Sequence, residues 1–363
     1  MSDLRYSEVE EDLRASVRDL ISDRAPATAV LERAESAEPY DLSLWRTLAA
    51  DLGAAGLAVP EKLGGQGASA RETAAVMEEL GRSVAPVPFL GSAVLATSAL
   101  LAAGDTTVLP GLASGEVIGA LAVPLTLWPG AGFPDSVRFA DGVLEGRVGT
   151  VADAGVAEVL VVPAMGPDGP GLYEVAATAA VISEITPLDL TRRLADVTFD
   201  GSPARLITGP GGAAEALDAA LTTGAGLLAS EQLGVAQWCL ESTVAYVKQR
   251  FQFGRPVGSF QALKHRLADI YLELVAARAA ARHAADTLAT ADTDVPVAVA
   301  VAQSTCSALA VHVAEEAVQL HGGIGMTWEH PVHLYLKRAK ASELALGTPG
   351  RHRERLSALV DLP

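Results

Sequence analysis

Cysteine is scarce in this chain. Only Cys239 and Cys306 occur among its 363 residues. Two cysteines cannot make the framework of several bridges that stabilises a small secreted domain, so we expect a cytoplasmic protein in a reducing compartment. Each lies in an apolar stretch of predicted helix, which indicates that both pack as small hydrophobic residues.

Cations are also few. The chain has 27 Lys and Arg against 44 Asp and Glu, a net charge of −17 at pH 7. Proteins that bind nucleic acid need clustered cations for the phosphate backbone, so this charge balance excludes that class. No apolar run reaches the about 18–20 residues of a membrane span without a charged or turn residue. The first residues, MSDLRYSEVEEDLR, are acidic and polar, unlike a secretory signal.

What is abundant is hydrophobic sequence. Half of the residues are hydrophobic, which is enough for a substantial core and is not typical of disorder. At about 100–200 residues per domain, the length predicts two or three structural units. The pattern divides the chain into residues 1–113, 114–209 and 210–363.

In the first and last regions the hydrophobic residues recur with the period of a helix, whereas in the middle region they recur with the period of a strand. Asp41 and Ser69 stand where helix N-caps are expected, and Glu72 follows Ser69 at the spacing of a capping box. In the middle region, Asp141-Gly142 between apolar residues predicts a two-residue hairpin turn. We therefore predict an α+β protein with an N-terminal helical domain, a middle antiparallel β-domain and a C-terminal four-helix bundle.

The helices of the C-terminal region are predicted from apolar spacing. From Phe260 to Leu288, apolar residues recur at alternating steps of three and four, which is the pattern of a bundle seam. Two further helices are predicted over about 295–320 and 331–346.

A cationic segment interrupts this region. From Lys248 to Arg266 there are five Lys or Arg and no acidic residue. In a chain this anionic, the cluster predicts a local anion site, with Arg250 on a phosphate and Gly254 allowing close backbone approach. A cationic helix C-terminus that only offsets the helix dipole is an alternative of equal weight.

A glycine-rich turn, QLHGGIGMTWEHP at 319–331, follows the next long predicted helix. Its backbone N–H groups could cradle a nucleotide, but an ordinary helix C-cap explains the same glycines and is favoured by the residues alone. The pattern is not the GxGxxG of a dinucleotide-binding strand and helix.

Other charged and histidine-rich stretches give no clear site. The cationic stretch 337–355 is interpreted as a solvated helical face. No nucleophile–base pair is visible. No metal-ligand spacing occurs among the histidines near the turn, so no metal site is predicted; they are His312, His321, His330 and His333.

These features in combination resemble the acyl-CoA dehydrogenase family. The resemblance covers nearly the whole chain and is carried by GLAVPEKLGGQG with VMEELGRS, by YVKQRFQFGRPVGSFQALKHRLADI and by EEAVQLHGGIGMTWEHPVHLYLKRAKA. The last two stretches are specific in combination. The resemblance implies an FAD bound between subunits of a tetramer, removal of the α-proton of an acyl-CoA by a carboxylate, and hydride transfer to the flavin.

The resemblance also implies the cofactor contacts. In family members, the Arg and Phe of an Arg-x-x-Phe-Gly motif, a Gln at the start of the next helix, and the Gln and glycines of Gln-x-x-Gly-Gly serve an FAD whose flavin lies in the neighbouring subunit. The matching residues here are Arg250, Gln252, Phe253, Gln261, Gln319, Gly322 and Gly323.

The catalytic base of the family is missing. Members usually carry it as the Glu of a Tyr-Glu-Gly-Thr stretch, which is ALGT here, so the base position is Leu346. Leucine cannot accept a proton. Other members place the base at a position that matches Gly224 or Ala225. The motifs that hold the flavin ring would fall at 121–132 and 149–153, and neither stretch matches them.

A chain that keeps the cofactor motifs but lacks the catalytic base is expected to work as one subunit of a heteromer. This chain would contribute FAD pyrophosphate and adenine contacts, while a second acyl-CoA dehydrogenase-like subunit supplies the Glu and most of the acyl-CoA site. The pattern is similar to base-lacking subunits of the α2β2 dehydrogenases with which bacteria degrade steroid side chains, an argument by analogy. Two alternatives stay open: a self-sufficient homotetramer with a relocated base, for which Glu343 is preferred to Glu231 and Glu241, and a non-enzymatic assembly module.

Overall fold

The structure is a computed structural model that describes residues 4–362. Its N-terminal part consists of helices α1 (Glu8–Arg24), α2 (Ala27–Ala34), α3 (Leu42–Arg46), α4 (Ala70–Ser83), α5 (Thr97–Ala102) and α6 (Leu109–Ser114). A π-helical segment extends α3 to Asp51, and another, which begins at Phe89, leads into α5.

Two of these helices begin where the sequence predicts. The Asp41 carboxylate accepts the N–H of Leu44 at 2.9 Å, and Ser69 Oγ accepts the N–H of Arg71 at 3.1 Å. The Glu72 carboxylate accepts the N–H of Ser69 at 2.9 Å, which completes the capping box. Both predicted N-caps are confirmed.

The middle part is a sheet of eight strands: β1 (Gly119–Leu121), β2 (Val137–Ala140), β3 (Val143–Ala152), β4 (Val159–Gly166), β5 (Gly169–Ala176), β6 (Val181–Ile185), β7 (Leu194–Pro203) and β8 (Arg205–Thr208). Their order is β6-β7-β3-β2-β4-β5-β8, with β1 beside β4. The predicted turn at Asp141-Gly142 is confirmed, because it joins β2 to β3 with φ of 51° and 86°.

The sheet is mixed rather than purely antiparallel. Most neighbours are antiparallel, but β1 and β2 both run parallel to β4. Both parallel pairs have the long crossover that parallel strands require, because the connection from β1 to β4 contains the β2–β3 hairpin and that from β2 to β4 contains β3.

The C-terminal part is the predicted bundle: α7 (Ala213–Gln249), α8 (Gln261–Thr290), α9 (Val295–His321) and α10 (Val332–Leu344), followed by α11 (Pro349–Leu359). A small hairpin, β9 (Phe251–Gln252) with β10 (Arg255–Pro256), connects α7 to α8. The predicted seam of α8 is buried along its central part, at Ile270, Leu274, Ala277, Ala281 and Ala284.

Helix α9 lies at the centre of the bundle. It is the one helix of residues 4–362 that is long and apolar enough to cross a membrane, but 67% of its most apolar window is buried inside the molecule. That burial is what a core helix shows. The cysteines are fully buried in the same bundle, and burial raises the pKa of both thiols, that of Cys306 to about 12.

The N-terminal helices join the bundle through a close crossing of α4 and α7. A Cβ added to Gly81 would lie 2.0 Å from the carbonyl oxygen of Glu231, and one added to Gly234 would lie 2.0 Å from that of Glu78. Only glycine allows two backbones to approach this closely. One apolar core therefore continues through both helical parts, while the sheet has a second core of its own.

The predicted helix over about 331–346 is wrong at its C-terminal end. Helix α10 ends at Leu344, and Leu346 has a positive φ of 54°. The Leu346 N–H donates to the carbonyl of Leu125 at 2.7 Å, which directs the backbone out of the helix. The predicted domain boundaries at 113/114 and 209/210 stay predictions.

Candidate functional site

The cationic segment after α7 forms an exposed hairpin. The Arg250 N–H donates to the carbonyl of Tyr246 at 2.9 Å, and the Arg250 carbonyl accepts the N–H of Val257 at 2.7 Å. Phe253 at the tip has a φ of 51° and is 90% exposed. An apolar ring held in solvent by a left-handed backbone indicates a surface that another molecule covers.

The glycine-rich turn at the end of α9 contacts the same region. The rings of His321 and Tyr246 stack with their centroids 4.6 Å apart. Tyr246 lies one helical turn before Arg250, and His321 directly precedes Gly322, so this stack joins the two cofactor motifs within one chain. Gly322 has a φ of 63°, and both it and Gly323 have open space where a Cβ would be.

The residues that the resemblance assigns to the cofactor share one property, solvent exposure. Gln261 opens α8, and Gln319 lies in the last turn of α9. All seven are exposed: Arg250, Gln252, Phe253, Gln261, Gln319, Gly322 and Gly323. Across residues 4–362, Arg250 has no carboxylate partner, so its guanidinium is free to bind a ligand.

The histidines beside the turn are packing residues. His321 Nδ1 donates to the carbonyl of Ala317 at 2.7 Å, and the His330 ring lies 4.3 Å from the His321 ring. Burial lowers the pKa of both, and the neighbouring histidines help to lower the pKa of His330 to about 4. In the part of the chain that the structure describes, no group of three His, Cys, Asp or Glu is arranged for a metal ion.

The position of the usual base is filled by apolar side chains. Leu346 and Ala225 are fully buried. A Cβ added to Gly224 would lie 3.1 Å from Leu346 Cδ1 and 2.4 Å from Leu95 Cδ2. Leucine side chains therefore occupy the space around both positions at which family members carry the base.

Two of the three alternative carboxylates are on the surface and have cationic partners. Glu343 Oε2 lies 3.6 Å from Lys340 Nζ. Leu346 lies outside α10, which ends at Leu344, so Glu343 does not share a helical face with it. Burial alone would raise the pKa of Glu241, but bonds from Arg82 and Gln237 outweigh it and keep the pKa below its usual value.

The third carboxylate, Glu231, belongs to a buried ion cluster between the sheet and the bundle. Arg338 of α10 bonds to Asp189 and lies 3.3 Å from Glu231, while Arg192 bonds to the other Glu231 oxygen. Arg338 also donates to Thr191 Oγ1 at 2.7 Å. All four charged residues are at most 7% exposed. The two cations and two anions pair with one another, and a further buried carboxylate, Asp153, lines the same small cavity as Arg192 and Arg338.

This ion cluster was not predicted from the sequence. The interpretation of 337–355 as a solvated face is wrong for Arg338, which is 2% exposed. Burial alone would raise the pKa of Asp189, but Arg338 and the Thr191 bond keep it below its usual value. One signal was available: Glu231 stands in the apolar middle of α7, where a charge requires a buried partner.

A cavity of about 230 Å³ lies beside the ion cluster, between the sheet and α10. It is lined on the sheet side by residues of 121–132 and 149–153, the stretches that align with the flavin-ring motifs, and on the bundle side by Leu344 and Ala345. The surface of its walls is mainly aliphatic, although Thr126, Thr150, Arg192 and Lys340 also line it.

The fold and the exposed hairpin are those of a flavoprotein oxidoreductase, and comparison with known proteins specifies the family. Residues 7–116 match "Acyl-CoA dehydrogenase, N-terminal domain" and residues 211–360 match "Acyl-CoA dehydrogenase, C-terminal domain". The chain belongs to the acyl-CoA dehydrogenase family, whose cofactor is FAD.

Individual relatives support this assignment. Acyl-CoA dehydrogenase IpdE2 of Mycolicibacterium smegmatis is 39% identical over 354 residues, 98% of this chain and 99% of that protein. A chain of the ChsE4–ChsE5 complex of Mycobacterium tuberculosis matches this one with a TM-score of 0.89 and 28% identity. The match covers 100% of this chain and 100% of that chain. A chain of the solved Tcur3481–Tcur3483 steroid ACAD matches this one with a TM-score of 0.87 and 32% identity. The match covers 98% of this chain and 98% of that chain. The predicted family and three-part fold are confirmed.

Proposed function

We propose that this chain is the base-lacking subunit of a heteromeric, FAD-dependent acyl-CoA dehydrogenase. A second, related subunit supplies the catalytic Glu, the acyl-CoA pocket and the flavin-ring site. This chain reaches across the interface to the pyrophosphate and adenine of that FAD. The observation that carries the proposal is a fully buried leucine at the base position, Leu346, in a chain that retains exposed cofactor motifs.

The absence of a usable carboxylate supports this division of labour. Removal of an α-proton requires a general base within hydrogen-bond reach of the substrate. Leu346, Gly224 and Ala225 have no such group. Glu231 lies nearest to this region along α7, but it is held by two buried arginines, and withdrawing it would leave their charges unpaired.

The nucleotide half of FAD fits the exposed motifs. When bound, FAD supplies the hydride acceptor of the family. The unpaired Arg250 guanidinium suits a diphosphate, because its fork forms charge-assisted hydrogen bonds with phosphate oxygens. The open backbone at Gly322 and Gly323 presents N–H groups that suit the same anion. Phe253 and the glutamines would border the adenine end.

The flavin ring does not fit this chain's own cavity. The ring has a polar edge that loses hydrogen bonds to water when it is buried, and this loss must be compensated by protein donors. The cavity of about 230 Å³ beside Leu344 and Ala345 is mainly aliphatic, and the two stretches of this chain that align with the flavin-ring motifs do not retain them. A chain that fits one half of the cofactor and not the other is suited to sharing it with a different subunit.

Substrate class and assembly are proposed from the relatives. The two solved structures above are named after pairs of different proteins, and one is named a steroid ACAD. We infer that the substrate is a CoA thioester of a steroid side chain, bound mainly in the partner. We place the complex in the cytoplasm, because both cysteines are buried free thiols.

Co-expression with the partner tests the proposal. The partner would be a second acyl-CoA dehydrogenase gene of the same organism that retains the Tyr-Glu-Gly-Thr motif. We expect the lone chain to bind little FAD and to turn over no acyl-CoA, and the complex to hold about one FAD per pair of subunits. Turnover by the lone chain, abolished by Glu343→Gln, would instead support the homotetramer.

A substitution in the complex separates the cofactor role from a purely structural one. Arg250→Ala removes a charge-assisted bond worth about 1.5–3 kcal/mol, so FAD affinity should fall about ten- to a hundredfold. Arg353→Ala, which removes an exposed arginine of α11, is the matched control and should leave FAD affinity unchanged. Equal FAD content in both variants would support the assembly module.

A further inference from the structure

Four helices line an open cavity of about 350 Å³ whose walls consist almost entirely of charged and amide side chains. Its eight lining residues include five arginines, in a chain whose net charge is −17. None of them belongs to the cofactor motifs or to the buried ion cluster. The lining residues are Arg14 and Arg18 of α1, Glu78 and Arg82 of α4, Gln237 and Glu241 of α7, and Arg278 and Arg282 of α8.

Three of the five arginines are neutralised by carboxylates. The pairs are Arg14 with Glu78 at 2.8 Å, Arg18 with Glu79 at 2.6 Å, and Arg82 with Glu241 at 2.6 Å. Arg14 also contacts Glu11 at 3.1 Å, so these three arginines carry no excess positive charge, and the cations of the cavity without an ion pair are those of α8.

The two arginines of α8 have no anionic partner. Arg278 donates to the neutral amide oxygen of Gln237 at 2.6 Å, and the Arg282 guanidinium lies 3.9 Å from the centroid of the Tyr6 ring. Between residues 4 and 362 neither forms an ion pair, and the buried Arg282 Nε has no hydrogen-bond acceptor. A buried donor without an acceptor costs about 1–3 kcal/mol, so an anion that accepted a hydrogen bond from Arg282 Nε would stabilise the site.

We propose that this cavity binds a diphosphate group. Arg278 and Arg282 are four residues apart, so their side chains project from the same face of α8 toward one ligand. Guanidinium forks match the oxygens of phosphates in geometry and charge. Each of the two guanidinium groups can contact one unit of a diphosphate, and the cavity of about 350 Å³ is larger than a single phosphate needs. Free pyrophosphate, ADP and coenzyme A all carry this group.

Titration calorimetry of the full-length chain with inorganic pyrophosphate tests the proposal directly. We expect saturable binding that is at least about tenfold tighter than that of inorganic phosphate and that weakens as sodium chloride is raised. Binding of ADP or coenzyme A would identify a nucleotide as the source of the group, and binding of pyrophosphate alone would identify the free anion. No saturable binding, or equal affinity for pyrophosphate and sulfate, overturns the proposal.

Variants locate the binding. Arg278→Gln should weaken pyrophosphate binding about tenfold, since it removes one charge-assisted contact. The affinity of Arg278→Lys for pyrophosphate should lie between those of Arg278→Gln and the wild type. If Arg282→Gln does not fold because its contact with Tyr6 is lost, Arg278→Gln still decides the question. Arg353→Gln, an exposed arginine of α11, is the charge-matched control outside the cavity. Unchanged binding in Arg278→Gln, or an equal loss in Arg353→Gln, overturns the proposal.

Discussion

Restoring the missing carboxylate is not expected to restore activity to this chain. In Leu346→Glu, the loss of a fully buried leucine costs about 1.5–3 kcal/mol. A carboxyl group among Leu95 and Gly224 has no partner, which costs about another 1–3 kcal/mol even when it is protonated. An unfolding entropy of about 2.1 cal/mol/K per residue over 363 residues converts the total into a fall in Tm of about 3–8 °C.

Scanning calorimetry and a dehydrogenase assay with an artificial electron acceptor measure the two consequences. Leu346→Met keeps the volume and apolar character of the side chain, so it should cost less than about 1.5 kcal/mol and change Tm by no more than about 2 °C. We expect Leu346→Glu to show no turnover alone and no gain in the complex. A variant as stable as Leu346→Met that also turns over acyl-CoA would refute the reasoning, because it would show that substrate reaches this position.

Three other outcomes are expected. Arg338→Met leaves two buried carboxylates with one arginine, so the free energy of unfolding in urea should fall by about 3–5 kcal/mol; a loss below about 1 kcal/mol would contradict the buried cluster. The pKa of His330 is about 4 when folded and 6.5 ordinarily, so the stability that its neutral form contributes is complete above pH 6.5 and is lost as the pH falls toward 4. As the pH falls from 6.5 to 4, Tm should therefore fall less steeply in His330→Gln than in the wild type, and parallel curves of Tm against pH would contradict this. Tyr246→Leu removes the ring stacked on His321 and should weaken FAD binding to the complex about two- to tenfold, whereas Tyr246→Phe should retain it; equal affinities in the two variants would contradict a positioning role.

The parts of the fold that could be predicted from the sequence depend on near neighbours. The N-caps at Asp41 and Ser69 involve residues within three positions, and the turn at Asp141-Gly142 needs only two residues of positive φ. The seam of α8 repeats along one element. Local stereochemistry and periodicity determine such features, so a pattern in the sequence is sufficient to find them.

The parts that could not be predicted depend on contacts between distant segments. Arg338 bonds to Asp189 across 149 residues and to Glu231 across 107, and no local pattern connects these positions. Leu346 leaves the predicted helix because of a carbonyl on the sheet side. The residues assigned to the cofactor came from motif resemblance alone and stay predictions. The structure adds that they are exposed and that the stacked rings of Tyr246 and His321 bring the two motifs together.

The ion cluster has a consequence for how the molecule unfolds. Its arginines and carboxylates come from the segment before β7 and from two helices of the bundle, and they satisfy one another only while the two layers are in contact. A small separation of the sheet from the bundle would part the charges before water could hydrate them. A half-open intermediate is therefore high in free energy. Sheet and bundle should therefore melt as one cooperative unit and give a single endotherm, even though each has its own apolar core.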